Sequence, residues 1–321
     1  MRSPVPAFSC DFRPEIASFL EEIYADCNRL ARLERDPLAI ALRYPDDDDR
    51  EVAGLVCSTL AFGAVDLIMR ACEKALEPLG AHPAASLASM SDADIAEAWA
   101  GFQYRFCFPH DLQGVMRAIR DARREWGSLE GLFLQGDAPG RPFPEAVSSF
   151  VRALRRLAAD GERAADREEA PGDTAGTDAA ASGRSLRQDR TIRQARGIRA
   201  NLLPDPADGS ACKRLFLYLR WMVRRDDIDP GCWTRISPSR LIVPLDLHMV
   251  RTCRERLGFL APGKTPVRAA TKAAASPMLR DALQATACFA LYSPDDPVKY
   301  DFALTRPGID PHPGDEIYGC L

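Results

Sequence analysis

Gly209-Ser210-Ala211-Cys212-Lys213-Arg214 opens onto Leu215-Phe216-Leu217-Tyr218-Leu219-Arg220-Trp221-Met222-Val223, and the chain returns as Ile242-Val243-Pro244-Leu245-Asp246-Leu247-His248. Ser210 follows a turn of Pro, Asp and Gly and precedes a long apolar run, which predicts a helix N-cap with Lys213 in the first turn. Apolar residues lie on nearly every face of that helix, Leu217, Tyr218 and Trp221 as well as Leu215, Phe216, Leu219, Met222 and Val223, so it is predicted to be central and buried. Asp246 predicts the cap of a second helix, Leu247 to Leu257, with Leu247, Val250, Cys253 and Leu257 turned inward. The positive end of a helix dipole, the adjacent Arg214 and partial burial all disfavour the ammonium form of Lys213, the setting in which a lysine amine attacks carbon. Lys213 and Asp246 are the candidate catalytic pair.

Working outward, helical periodicity dominates the first half. Ile16, Leu20, Ile23, Tyr24, Cys27 and Leu30 form a stripe within Ile16 to Leu33. The acidic turn Pro45-Asp46-Asp47-Asp48-Asp49 predicts a solvated, dipole-matched start to an apolar helix, Val52 to Phe62, which resumes after Gly63 as Val65 to Leu76. Amphipathic segments follow at Asp92 to Phe102, His110 to Trp126, Leu129 to Leu134 and Glu145 to Leu157. Later, Ser276 and Pro277 predict the start of a helix to Tyr292, and Pro297 that of a short helix, Val298 to Thr305, packed on the Asp246 helix. No run alternates β-branched residues convincingly, so the class is all-α.

Residues 1–158 read as one helical region and residues 201–321 as another that carries the candidate site, the two together forming one composite fold. Between them, residues 159–200 read as a disordered insertion, poor in large apolar residues, that ends in an arm with arginine at every third position: Arg184, Arg187, Arg190, Arg193, Arg196 and Arg199. The net charge of −4 argues against a nucleic-acid partner by itself. Residues 184–260, however, hold 16 Lys and Arg against 8 Asp and Glu, a net of +8, leaving −12 for the rest. Phosphate is the commonest partner for such a basic patch, and a solvated linker is the other reading.

The ten cysteines are scattered without a CxxC pair, which predicts small core thiols in a reducing compartment and neither disulfides nor a metal centre. No apolar run is long enough for a bilayer and residues 1–13 lack a signal-peptide core, so the expectation is a cytoplasmic protein with no membrane partner. No cofactor or metal is implied.

The segment Pro244-Leu245-Asp246-Leu247-His248-Met249-Val250-Arg251 resembles the V-D-T-H-(V/I)-x-R segment of helix-hairpin-helix DNA glycosylases, in which the Asp opens a helix and serves base excision. Glu51 to Leu76 is similar to their early core helix, and Lys299 to Gly308 to their closing helix and turn. More closely, Tyr104-Arg105-Phe106, Ser210 to Arg214, Leu219 to Arg224 and Pro297 to Leu304 resemble a bacterial family of unknown function, distantly similar to those glycosylases and especially to the archaeal 8-oxoguanine type. The resemblance implies a two-lobed fold with the cleft between lobes, a damaged or modified base in DNA as substrate, Asp246 as the essential carboxylate and Lys213 as the nucleophile, with or without strand cleavage through a Schiff base. The usual L-P-G-(V/I)-G-x-K hairpin is replaced here by Leu203-Pro204-Asp205-Pro206-Ala207-Asp208-Gly209-Ser210-Ala211-Cys212-Lys213, which lacks most of its glycines.

The remaining candidates keep two readings each. Arg214, His248 and Arg251 join the arginine arm as nucleic-acid contacts or are structural. Tyr218 and Trp221 are a base-stacking platform or core packing. Tyr104 and Arg105 line a pocket or form a buried hydrogen-bonded pair, and Phe62 is a wedge into the duplex or a turn residue capping the core. At the level of the whole chain, the alternatives to a glycosylase are a non-catalytic nucleic-acid-binding protein of the same fold, for DNA or RNA, and a helical scaffold whose arm binds an acidic protein.

Overall fold

The computed structural model describes residues 10–168, 198–262 and 278–318. Their helices, in chain order, are α1 (Pro14–Cys27), α2 (Leu38–Ala41), α3 (Asp47–Leu60), α4 (Val65–Leu76), α5 (Pro83–Ser89), α6 (Asp92–Ala98), α7 (Pro109–Trp126), α8 (Leu129–Gln135), α9 (Phe143–Glu168), α10 (Lys213–Val223), α11 (Leu247–Arg251), α12 (Leu279–Phe289) and α13 (Asp301–Ile309). Among the described residues strand-like pairing is confined to isolated bridges such as Tyr104 with Cys107, so the protein is all-α as its patterning predicts.

The amphipathic stripes become the packing faces. Ile16, Leu20, Ile23 and Cys27 of α1 are buried, and α1 packs on α13 near the other end of the sequence. Helix α10 is largely enclosed, with Lys213, Arg214 and Leu217 half-buried, and lies on α3, where Gly54 leaves room for the Met222 and Tyr218 side chains. Glu51 ties this centre together. Its buried carboxylate pairs with Arg123 of α7 and accepts the Glu130 N–H of α8 at 3.0 Å and the Trp233 indole N–H at 2.8 Å. Burial pushes the Glu51 carboxyl up in spite of those donors.

Several local expectations give way to tertiary context. Helix α9 continues to Glu168, past the change in composition near residue 159, because Ala, Arg and Glu extend an existing helix at little cost. The acidic turn is not wholly solvated. Asp49 is buried, accepts the Ala84 N–H at 2.8 Å and faces His82 at 3.4 Å, and Asp46, Asp49 and His82 come within 4.8 Å of one another. The Pro297 segment forms a turn, and α13 starts four residues later, at Asp301. That helix also runs through Pro307, while the Thr305 hydroxyl lies 3.0 Å from the carbonyls of both Asp301 and Phe302. Ser276 and Pro277 lie outside the described residues. Cys10 and Cys288 are joined in a disulfide, against the expectation of thiols alone; the other described cysteines are not disulfide-bonded. Among the described residues no helix is long and apolar enough to cross a membrane.

Candidate active site

The lead-in to α10 is shaped by its backbone. Gly209 adopts the left-handed region, with φ of 80°, and its carbonyl accepts the Leu279 N–H of α12 at 2.9 Å. Three residues on, Cys212 is also left-handed, with φ of 44°, a conformation that costs a side-chain-bearing residue about 1–3 kcal/mol. Cys212, rather than Ser210, is the N-cap. Ser210 Oγ accepts the Cys212 N–H at 3.3 Å, so the hydroxyl holds the strained turn instead of capping the helix. Lys213 is the first residue of α10, as predicted.

Asp246 caps α11, its Oδ1 accepting the Met249 N–H at 2.8 Å. The helix widens over Thr252–Arg256 into a turn with five-residue hydrogen bonding, and Val250, Cys253 and Leu257 point inward. Leu247 is instead exposed, because the cap turns it away from the core. The two helix starts meet: Lys213 Nζ lies 2.9 Å from Asp246 Oδ2. Burial pushes the Asp246 carboxyl up, but the Lys213 charge, the Met249 N–H and nearby His248 together hold it below the usual carboxylate range. The amine and the carboxylate that can take its proton are thus in contact, at the wall of a cavity of about 940 Å³.

Phe62, Arg214, Arg220, His248, Asp301 and Arg306 also line this cavity. Phe62 stacks on Phe106, with ring centres 4.2 Å apart, and lies under the Arg214 guanidinium at 4.9 Å, so its ring faces are already engaged. Arg214 reaches the Thr59 and Asn201 carbonyls and has no carboxylate partner among the described residues, and burial pushes its guanidinium down to about 10. His248 is exposed at the cavity mouth, and Arg251 pairs with Glu255 at 3.0 Å.

Other sequence candidates lie elsewhere. Tyr218 and Trp221 are fully buried beside α3, so the packing reading holds for both. Tyr104 is a hydrogen-bonded core residue whose hydroxyl donates to the Phe62 carbonyl, whereas Arg105 is exposed at the tip of a tight turn in the left-handed region. Arg199 grips the buried Asp111 through Nε and Nη2, the closer contact being 2.6 Å, and covers Phe108. Arg184, Arg187, Arg190, Arg193 and Arg196 lie outside the described residues. Asp301 and Arg220 were not singled out from sequence. The signal for Arg220 is the spacing of Lys213, Arg220 and Arg224 along one helix face.

An all-helical protein with a lysine–carboxylate pair set into a cavity is the class that fold and geometry define. Residues 36–310 match the family described as a protein of unknown function (DUF2400), and the chain belongs to that family. No curated protein and no solved structure matches the chain.

Proposed function

We propose that the protein is a base-excision DNA glycosylase with lyase activity, acting on a damaged or modified base through Lys213 and Asp246. The observation that carries this reading is the 2.9 Å contact between Nζ and the partly buried carboxylate at the wall of the 940 Å³ cavity. Cavities of roughly 300–1,000 Å³ hold small-molecule-sized groups, which suits an extruded nucleotide. Asp246 takes a proton from Nζ as the amine lone pair attacks the anomeric carbon. The bond from that carbon to the base breaks, its electron pair leaves on the base, and the base takes up a proton. Opening of the sugar ring then places a C=N bond between sugar and lysine, and loss of a C2′ proton expels the 3′ phosphate. A base-flipping enzyme needs cations near the flanking phosphates, which is the role of Arg214 and the basic arm in this reading.

The test is borohydride trapping with a panel of damaged-base and abasic duplexes. Wild type is expected to form a covalent adduct, Lys213→Ala to form none, and Asp246→Asn to be slowed by roughly 10²- to 10⁴-fold, the range for loss of a general base. Salt-sensitive DNA binding without adduct or base release would leave a non-catalytic nucleic-acid-binding protein, in which the Lys213–Asp246 pair only ties α10 to α11.

A further inference from the structure

The face of α10 that carries Lys213 continues inward. Lys213, Leu217, Arg220 and Arg224 recur at the spacing that places residues on one side of a helix. Each cation on this face meets carboxylates. Lys213 faces Asp246 at 2.9 Å, and Arg220 lies between Asp301 at 2.6 Å and Asp229 at 3.0 Å. Arg224 meets Asp229 at 2.7 Å, Asp226 at 2.8 Å and Asp296 at 2.6 Å. At the far end the Tyr24 hydroxyl and the Asn28 amide each donate to Asp226 at 2.9 Å. Three cations thus confront five carboxylates along roughly 16 Å of helix, starting from the candidate site.

That surplus of negative charge has an identifiable seat. Asp301 is 5% exposed and lines the same cavity as the lysine–aspartate pair. Its Oδ2 is committed to Arg220, while its Oδ1 is buried without a hydrogen-bond partner among the described residues. A carboxylate oxygen held so is costly, and a proton on the carboxyl relieves the cost. The titratable and charged groups around it are Lys213 and Arg220 from α10, Asp229 across Arg220, Asp246, His248 and Cys253 around α11, and Arg306 on its own helix. Asp36, paired with Arg306 at 3.1 Å, acts on Arg220 from the other side.

We propose that Asp301 is a positioning residue that sets the proton balance of the Lys213–Asp246 pair by holding or releasing one buried proton beside it. Its role in a reaction rests on the glycosylase reading; its coupling to the pair does not. Burial, opposed by Arg220 and reinforced by the Asp246 charge, pushes the Asp301 carboxyl up to about 6. When Asp301 is ionised its negative charge disfavours the charged form of Asp246, so Asp246 becomes the stronger base. When it is protonated this push is lost.

Two measurements on the full chain test this. The rate of borohydride-trapped adduct is expected to fall as pH drops through about 6 in wild type. In Asp301→Asn, whose amide imitates the protonated acid, that limb disappears and the rate at pH 8 is lower by about 3- to 10-fold, the effect of half to one pKa unit. An unchanged limb in a folded Asp301→Asn overturns the proposal. The second measurement is the carbon-13 titration of the Asp301 carboxyl, which needs neither activity nor an Asp301 variant. Its midpoint is expected to lie above the ordinary aspartate range and to move down in Asp246→Asn; a midpoint that does not move overturns the coupling. If wild type traps no substrate, the glycosylase reading fails, and the carbon-13 titration alone decides the coupling.

Discussion

Replacing Asp229 by alanine removes the anion shared by two buried guanidiniums. Asp229 is fully buried and receives Arg220 at 3.0 Å and Arg224 at 2.7 Å, so neither contact is screened by water. Breaking one buried pair by deleting a partner costs about 3–5 kcal/mol, because a buried charge is left behind. Here two are left, but each keeps a partner, Asp301 for Arg220 and Asp226 with Asp296 for Arg224. The two effects oppose each other, and the expected loss stays at about 3–5 kcal/mol. Against a typical stability of about 5–15 kcal/mol that is a large share. Urea unfolding followed by tryptophan fluorescence and circular dichroism measures it, with Asp229→Asn expected to lose less because its amide oxygen still accepts one guanidinium. A loss below about 1 kcal/mol for Asp229→Ala, the scale of an exposed pair, would refute the view that this charge row holds α10 in place.

Other outcomes follow from single contacts. Gly63→Ala sets a methyl group 2.7 Å from Arg105 Nη1 and 2.9 Å from the Tyr104 hydroxyl at a φ of 112°, so unfolding experiments are expected to show a loss of about 1–3 kcal/mol and the Phe62 wall to shift. Peptide mapping without reductant is expected to recover Cys10 linked to Cys288, and alkylation of both in the native protein would show the link is not formed. The low carboxyl of Asp246 contributes stability that is present above the unfolded aspartate range and lost as pH falls through its folded value; acid titration of Asp246→Asn is expected to lack that component.

Lys213 and Asp246 were legible because helix starts leave local marks: a turn, a change to apolar residues, a carboxylate before a periodic run. Their contact was not, since 33 positions separate them and the two helix starts meet only in the assembled fold. The same limit hid Asp301. In sequence it is an acid near the start of a short apolar helix, and its burial against Arg220 belongs to the assembled core. Ser210 has the local marks of a cap, and nothing in sequence distinguishes it from the strained Cys212 two residues later. Helix α5 escaped notice since Pro83-Ala84-Ala85-Ser86 offers one good start signal and almost no stripe. The Cys10–Cys288 link spans 278 positions, a separation at which spacing carries no information.

The docking of α1 on α13 also orders events during synthesis. The apolar side of α1, with Ile16, Leu20 and Ile23, lacks its α13 partner until residues 301–309 have left the ribosome, some 270 residues later. At about 5–20 residues per second that interval is roughly 15–55 s, during which the stripe stays open to water, to chaperones or to another nascent chain. Closing the molecule is therefore among the last steps of its folding, and a chain halted before α13 would leave the ribosome with its first helix still adhesive.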